Sequence, residues 1–279
     1  MDTIVISGAT SGIGLETARL LLEGGFSIIG IGSNDDSCKK AMDHVANSNA
    51  VFLAANLMQQ REVSRVSDLI IQMLNKTGRR LKALINNAGG VRSWYSTTEE
   101  GYEQQFALNH LAGFLLTYRL FPYLIDAQGR IIMTSSGSHL HGRVHWNDIM
   151  MQRRYSPLKA YSQSKLCNLL FADELNRRFA RTGIRAYAVD PQLVRTDIGS
   201  KHTGVLVKTV WSIRKRSGVD PVVPAQTYLF LCTANPAPPH LYYRQQHERP
   251  FSRYVRQEEA SRLFSLSEQL CGISFEAFR

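Results

Sequence analysis

Six short runs rich in β-branched and aromatic residues recur along the chain with helical stretches between them, and this alternation restricts the fold more than any other feature. The runs are TIVIS (3 to 7), FSIIGI (26 to 31), AVFLAA (50 to 55), LKALIN (81 to 86), GRIIMTS (129 to 135) and IRAYAV (184 to 189). Strands that alternate with helices pair in parallel, because each crossover helix carries the chain back to the starting edge of the sheet. The expected architecture is therefore an α/β fold, a doubly wound parallel sheet with helices on both faces. The intervening segments read as those helices. IGLETARLLLEGG (13 to 25) ends in paired glycines that act as a helix stop, and REVSRVSDLIIQMLNKTG (61 to 78) sets Val63, Val66, Leu69, Ile70 and Met73 on one face.

Length and charge narrow the reading further. The 279 residues, 44% of them hydrophobic, suit a single domain over 1 to 279 with a sizeable core, and no repeat or linker divides it. No run of 18 apolar residues occurs and no basic leader precedes the first apolar stretch, so a cytoplasmic location is expected. Cys38, Cys167, Cys232 and Cys271 lie far apart without CxxC spacing, the pattern of free thiols. The net charge of +10 gathers in arginine pairs, in WSIRKR (211 to 216) and in the tail, without a nucleic-acid-binding motif. Solvated faces, an anionic cofactor and contact with a membrane surface are the roles left for it, and nucleic acid is not an expected partner. After residue 196 the alternation weakens, and the segment at about 197 to 217 reads as a substrate loop or lid over the site. Pro236, Pro238 and Pro239 then mark a break before a last helix containing EEASRLFSLSEQL.

The first run leads straight into SGATSGIG. Gly8, Gly12 and Gly14 permit positive φ and close approach of main-chain N–H groups, and with Ser11 and Ile13 they open a helix whose N-terminus favours negative charge. A dinucleotide pyrophosphate fits that turn at the start of a doubly wound sheet. The fourth run ends in INNAGG, where Asn87, Ala88 and Gly89 leave room for a nucleotide against the backbone.

Tyr161 and Lys165, in YSQSK, stand four residues apart on one helical face. A tyrosine with a pKa of about 10 needs a nearby cation to work as an acid or base at neutral pH. Lowering it by about two units corresponds to roughly 2.7 kcal/mol of phenolate stabilisation. The lysine, with the positive charge of an oxidised nicotinamide, is expected to supply it. The fifth run ends in TSSG, which brings Ser135 and Ser136 to the same edge; of the two, Ser136 is the better placed to hydrogen-bond a reacting oxygen.

Together SGATSGIG, NNAG, the serine pair and YSQSK resemble, in this order and over essentially the whole chain, the short-chain dehydrogenase/reductase family. LNHLAGFLLT, KLCNLLFADEL and the tail look most like its retinol-dehydrogenase-like branch. The resemblance implies a Rossmann-type fold and an NAD(P)-dependent oxidoreductase in which Tyr161 is the acid/base. Lys165 would lower the tyrosine pKa and hold the nicotinamide ribose, Ser136 would orient the substrate oxygen, and Asn109 would hold a water in a relay toward Lys165. Pro191, Val194 and Thr196 match the positions around the nicotinamide carboxamide; at the adenine the family often has an Asp-Leu pair, and here Asn56, before Leu57, takes the place of the Asp and offers both a donor and an acceptor. By the same resemblance, a homodimer or homotetramer would pair through the helices that follow the fourth and fifth strands.

Two further departures stand out. DPQLVRT places Gln192 where the family has glycine, so the loop is expected to adopt a conformation that a side chain tolerates. At the end of the second run, Ser33 and Asn34 replace the usual acid or arginine, followed by Asp35 and Asp36, which can cap the next helix. The branch resemblance favours NADP(H), whereas the local acids would repel a 2′-phosphate, so NADP(H) is favoured only slightly over NAD(H). The substrate wall is expected from SHLHGRVHW (138 to 146) and the 197 to 217 segment. His139, His141 and His145 are read as polar lining, without a metal, and Val144, Trp146, Leu206, Val207 and Trp211 suit a lipophilic alcohol or carbonyl such as a retinoid, steroid or aromatic ketone. The alternative function is a catalytically weak nucleotide-binding scaffold or redox sensor.

Overall fold

The computed structural model describes residues 1 to 194 and 218 to 278. Thr196, the 197 to 217 lid segment with Leu206, Val207 and Trp211, and the WSIRKR stretch lie outside the described residues. Among the described residues the six expected runs are strands: β1 (Thr3–Ser7), β2 (Ser27–Gly32), β3 (Ala50–Ala54), β4 (Leu81–Asn86), β5 (Arg130–Thr134) and β6 (Arg185–Val189). Two short strands join them, β7 (Tyr242–Arg244), parallel to β6, and β8 (His247–Glu248), antiparallel to β7. They give an eight-stranded sheet in the order β3-β2-β1-β4-β5-β6-β7-β8. Strands of three and two residues carry too little periodicity to be read from sequence.

The helices are α1 (Gly12–Glu23), α2 (Asp35–Val45), α3 (Gln60–Thr77), α4 (Ala112–Asp126), α5 (Pro157–Arg178), α6 (Val222–Thr233) and α7 (Gln257–Cys271). On one face of the sheet, Leu21 of α1, Ala41 of α2 and Tyr228 of α6 pack with Ile4, Ile6 and Ile28. On the other, Val63, Val66 and Ile70 of α3, Phe114 of α4 and Phe171 of α5 pack with Val5, Ile29 and Ile31. Covered on both sides, β1 is buried throughout and shows no polar alternation. The stripe on α3 runs through Val63, Val66, Ile70 and Leu74, while Leu69 and Met73 are half-buried at its margin. α1 stops where expected, its cap Gly24 donating to Leu20 O at 3.0 Å and Gly25 at φ 83°. Asn34, not Asp35 or Asp36, caps α2, with Oδ1 accepting from Ser37 N at 2.8 Å; the two acids sit in the first turn, where the helix dipole favours them.

α7 lies across α4 and α5. Phe264 from α7 and Phe275 from the turn that follows it meet Phe114 edge-on, with ring centroids 5.2 Å and 5.4 Å away. The four cysteines are free, and among the described residues no helix is long and apolar enough to cross a membrane.

Candidate active site

The strand order reverses direction between β1 and β4, the position at which open α/β sheets bind ligands beyond their carboxyl ends. In-register pairing sets Ser7 opposite both Ile31 and Asn86, so the turns after β1, β2 and β4 share one edge. Gly8 and Gly12 take φ of 66° and 53°. A Cβ on Gly14 would lie 2.2 Å from Gly8 O, so the sharp turn into α1 admits only glycine there. Asn87 Nδ2 donates to Ser7 O and Gly8 O at 3.2 and 3.1 Å, and Ser7 Oγ accepts from the amides of Asn87 and Ala88, both at 3.0 Å. The two expected nucleotide turns are thus tied to each other. Ser11 stands at the N-cap of α1 and makes no side-chain cap bond, leaving the first N–H groups of α1 directed outward; Ile13 packs inward. These residues fit a dinucleotide pyrophosphate. Ser33 and Asn34 are exposed beyond β2, Asn56 is half-buried beyond β3 with Oδ1 accepting from Met58 N at 3.3 Å, and Leu57 is buried. Gly89 borders the second half of the site, because a Cβ on it would lie 3.3 Å from Lys165 Nζ.

Tyr161 and Lys165 face this edge from the first half of α5, where Pro157 opens the helix. Lys165 Nζ stands 5.4 Å from the centre of the Tyr161 ring. Tyr161 is half-buried, and the side chain of Ser136, which caps a 3₁₀ turn over Gly137–His141, acts on its phenol. Ser135 is fully buried and donates to Lys165 O at 2.9 Å, so of the two serines Ser136 is the one that acts on the tyrosine. Burial pushes the Tyr161 phenol up to about 12 against the opposing hydrogen bond from Ser136, and Asp190 adds to the rise. Burial also brings the Lys165 ammonium down to about 8. The protein alone therefore holds the phenol protonated at neutral pH, and the expected depression needs further positive charge from the bound cofactor.

Asn109 lies in a π-helical stretch, Ala107–Leu111, directly before α4. Its side chain is fully engaged: Oδ1 accepts from Gly90 N at 2.8 Å, and Nδ2 donates to Gly90 O and Ser164 Oγ, both at 3.0 Å. The group left to meet a water is the main-chain carbonyl, which already accepts from Asn168 Nδ2 at 2.9 Å and retains a second lone pair.

That amide opens a network absent from the sequence reading. Asn168 Nδ2 also donates to Thr134 O at 3.0 Å, the carbonyl that accepts Lys165 Nζ at 3.1 Å. Asn168 Oδ1 pairs with His110 Nδ1 at 3.3 Å, and His110 Nε2 with Ser267 Oγ of α7 at 3.0 Å. With its Nδ2 donating twice, Asn168 must accept through Oδ1, so His110 is protonated on Nδ1 and Ser267 donates to Nε2. Burial holds His110 neutral, its pKa down at about 4.

Three expectations need correction. Gln192 has φ 65°, in the left-handed region that favours glycine rather than one that suits a side chain; Asp190 Oδ1 holds it there by accepting Gln192 N at 2.9 Å. His139 is buried rather than lining a wall: Nδ1 donates to Ser136 O at 2.6 Å and Nε2 accepts from Ser252 N at 3.2 Å, which fixes the neutral tautomer. Val144 and Trp146 pack inward in a cluster with Leu166 and Leu263. Pro191 and Val194 are half-buried beside the site, and Val194 bridges Val219.

The family model for short chain dehydrogenase matches residues 2 to 204. Retinol dehydrogenase 12 of Mus musculus is 33% identical over 98% of this chain and 87% of its own length. Retinol dehydrogenase 14 of Homo sapiens is 34% identical over 83% of this chain and 74% of its own. Among solved structures, an uncharacterized protein from Mycobacterium paratuberculosis superposes with a TM-score of 0.77 at 29% identity, covering 99% of this chain and 95% of that one. A 3-ketoacyl-(acyl-carrier-protein) reductase from Brucella melitensis, complexed with NADH, shares the fold at 18% identity, with a TM-score of 0.68 over 87% of this chain and 96% of that one. With the glycine turn, the serine and the tyrosine–lysine pair at one sheet edge, these matches establish that the chain belongs to the short-chain dehydrogenase/reductase family, retinol-dehydrogenase-like branch, as an NAD(P)-dependent oxidoreductase.

Proposed function

We propose that the protein interconverts an alcohol and a carbonyl on a lipophilic small molecule, with Tyr161 as the acid/base. The observation that carries this reading is Tyr161 with the buried Lys165 Nζ 5.4 Å from its ring centre and Ser136 acting on its phenol, at the edge where the glycine turn opens. The nicotinamide, when bound, accepts or supplies the hydride. In carbonyl reduction Tyr161 donates its proton to the substrate oxygen, and in alcohol oxidation it takes that proton back. Ser136 donates to the same oxygen and fixes its position. Lys165, held at Thr134 O, places positive charge near the phenol and faces the ribose. The Asn109 carbonyl would hold the water that passes a proton toward Lys165.

Gly8, Ser11, Gly12, Ile13 and Gly14 would cradle the pyrophosphate. Ser33 and Asn34 would meet the adenosine ribose, Asn56 and Leu57 the adenine, and Asn87, Ala88 and Gly89 the middle of the cofactor. Pro191, Val194 and Thr196 would meet the carboxamide. NADP(H) is the proposed cofactor: β2 ends in glycine, followed by a hydroxyl and an amide with no carboxylate at the first two positions to claim the ribose hydroxyls. The names of the curated relatives, and exposed Trp94, Leu140 and Leu193 on the loops after β4, β5 and β6, support a lipophilic substrate.

A cytoplasmic location, with the basic surface resting on a membrane at times, belongs to the same proposal. So does a homodimer or homotetramer, which would use what α7 and Phe275 leave open of α4 and α5. Calorimetric titration with NADPH and with NADH, beside a carbonyl panel on the native protein and Tyr161→Phe, tests the function. Binding of one cofactor by both proteins with turnover by the native one alone is expected. Binding without any turnover would favour a silent nucleotide-binding scaffold.

A further inference from the structure

An ion pair with a buried carboxylate adjoins the site and has no place in the mechanism above. Asp190, 3% exposed, follows β6, and its Oδ2 accepts Arg244 Nε at 2.9 Å and also Arg244 Nη2. Arg244 ends β7, whose alignment beside β6 continues through Asp190 N donating to Tyr243 O at 2.9 Å. A Cβ built on Gly137 would lie 3.2 Å from Asp190 Oδ2 and 3.4 Å from Arg244 Nη2, so the turn that begins at Ser136 rests on the pair. The other carboxylate oxygen accepts the Gln192 amide and thereby sets the turn before Val194. One ion pair thus touches the serine turn and the turn proposed to face the nicotinamide.

We propose that Arg244 is a positioning residue for the acid/base: paired with Asp190, it joins these two turns and offsets part of the negative charge that Asp190 presents to Tyr161. The inference rests on the proposed role of Tyr161. Tyr161 has Lys165 of its own helix 5.4 Å from its ring centre, and Ser136 after β5, Asp190 after β6 and Tyr228 of α6 act on it electrostatically. Asp190 is faced in turn by Arg244 and Tyr242 of β7, by Tyr228 and by His139 of the 3₁₀ turn. His139 is neutral and the tyrosines are protonated, so Arg244 is the cation placed on the carboxylate itself. The Arg244 side chain is 36% exposed against 3% for Asp190, so water does little to screen the carboxylate and the guanidinium must do so. Without the guanidinium, a bare carboxylate disfavours the Tyr161 phenolate, the form that accepts the proton in alcohol oxidation.

The test is the pH profile of kcat/KM for alcohol oxidation in the native protein, Arg244→Gln, Arg244→Lys, Asp190→Asn and the double variant Asp190→Asn/Arg244→Gln. Beside it runs a tyrosinate absorbance titration of each, taken as a difference from the same protein carrying Tyr161→Phe. For Arg244→Gln, the limb that rises with pH is expected about one unit higher, roughly tenfold in rate at a pH on that limb, and the tyrosinate titration should move in the same direction. Arg244→Lys should stay near the native limb, the double variant should return to it, and Asp190→Asn alone should lie at or below it. A native limb in Arg244→Gln, or an equal and pH-independent loss in the single and double variants, overturns the proposal. If Arg244→Gln does not fold, Asp190→Asn decides, and a limb above the native one is the refuting result. A native protein without turnover would refute the proposed function instead, and the tyrosinate titration would still judge the role of Arg244.

Discussion

Replacing Lys165 with methionine should abolish turnover and yet make the protein more stable at neutral pH. Lys165 is 3% exposed and burial lowers its ammonium from 10.5 to about 8. In the unfolded chain the lysine holds its proton up to about pH 10.5, whereas the folded protein releases it at about pH 8. Between those values the unfolded state binds more protons, so stability rises with pH there, and below pH 8 the folded state bears the full cost of burying the charge. That cost is roughly 3 kcal/mol at about 1.4 kcal/mol per pKa unit. Methionine has similar volume and no charge, and even after loss of the Thr134 hydrogen bond a gain of about 2 kcal/mol should remain. Urea denaturation of the native protein and Lys165→Met at pH 7 and pH 10 measures it. The variant should be more stable at pH 7, with a melting temperature higher by about 4 °C, and the two should converge as pH rises from 8 to 10.5. Equal or lower stability at pH 7, or a gap that stays constant to pH 10, would refute the reasoning.

Three further outcomes follow from the same geometry. Gly14→Ala should abolish cofactor binding in a fluorescence titration and lower the melting temperature, because its methyl would lie 2.2 Å from Gly8 O. Gln192→Gly should stabilise the protein by a few tenths to about 1 kcal/mol in chemical denaturation, since relief of left-handed strain exceeds the added freedom of the unfolded chain. His110, neutral in the fold with its pKa at about 4, contributes stability that is lost as pH falls from about 6.5 to 4. An acid-denaturation series on native protein and His110→Gln should therefore show a steeper native loss across that window, by about 3 kcal/mol in total.

The sheet and the main site were legible because their determinants are local. Strands buried on both faces show as apolar runs, a turn with glycine at positions 8, 12 and 14 needs only adjacent residues, and Tyr161 and Lys165 share a helix face by spacing alone. Ser136 could be preferred over Ser135 from the glycine beside it, and the structure places it at Tyr161 while Ser135 turns inward. The Gln192 conformation was misjudged because a side chain argues against positive φ unless a partner holds it, and that partner, Asp190, acts through its carboxylate rather than through any pattern.

What surrounds the site was decided by tertiary structure. Arg244 is 54 positions from Asp190, and Ser267 is 157 from His110, with no periodicity linking them. β7 delivers the first pair and α7 the second, and the contacts exist only once β7 has paired with β6 and α7 has packed across α4 and α5. Ionisation belongs to the same class: the chain carries a tyrosine and a lysine of ordinary acidity, and their opposite shifts arise when packing removes water from both. Sequence alone determined which groups can do the chemistry, through short-range spacing, whereas the fold decided how they are charged and held, through burial and long-range pairing.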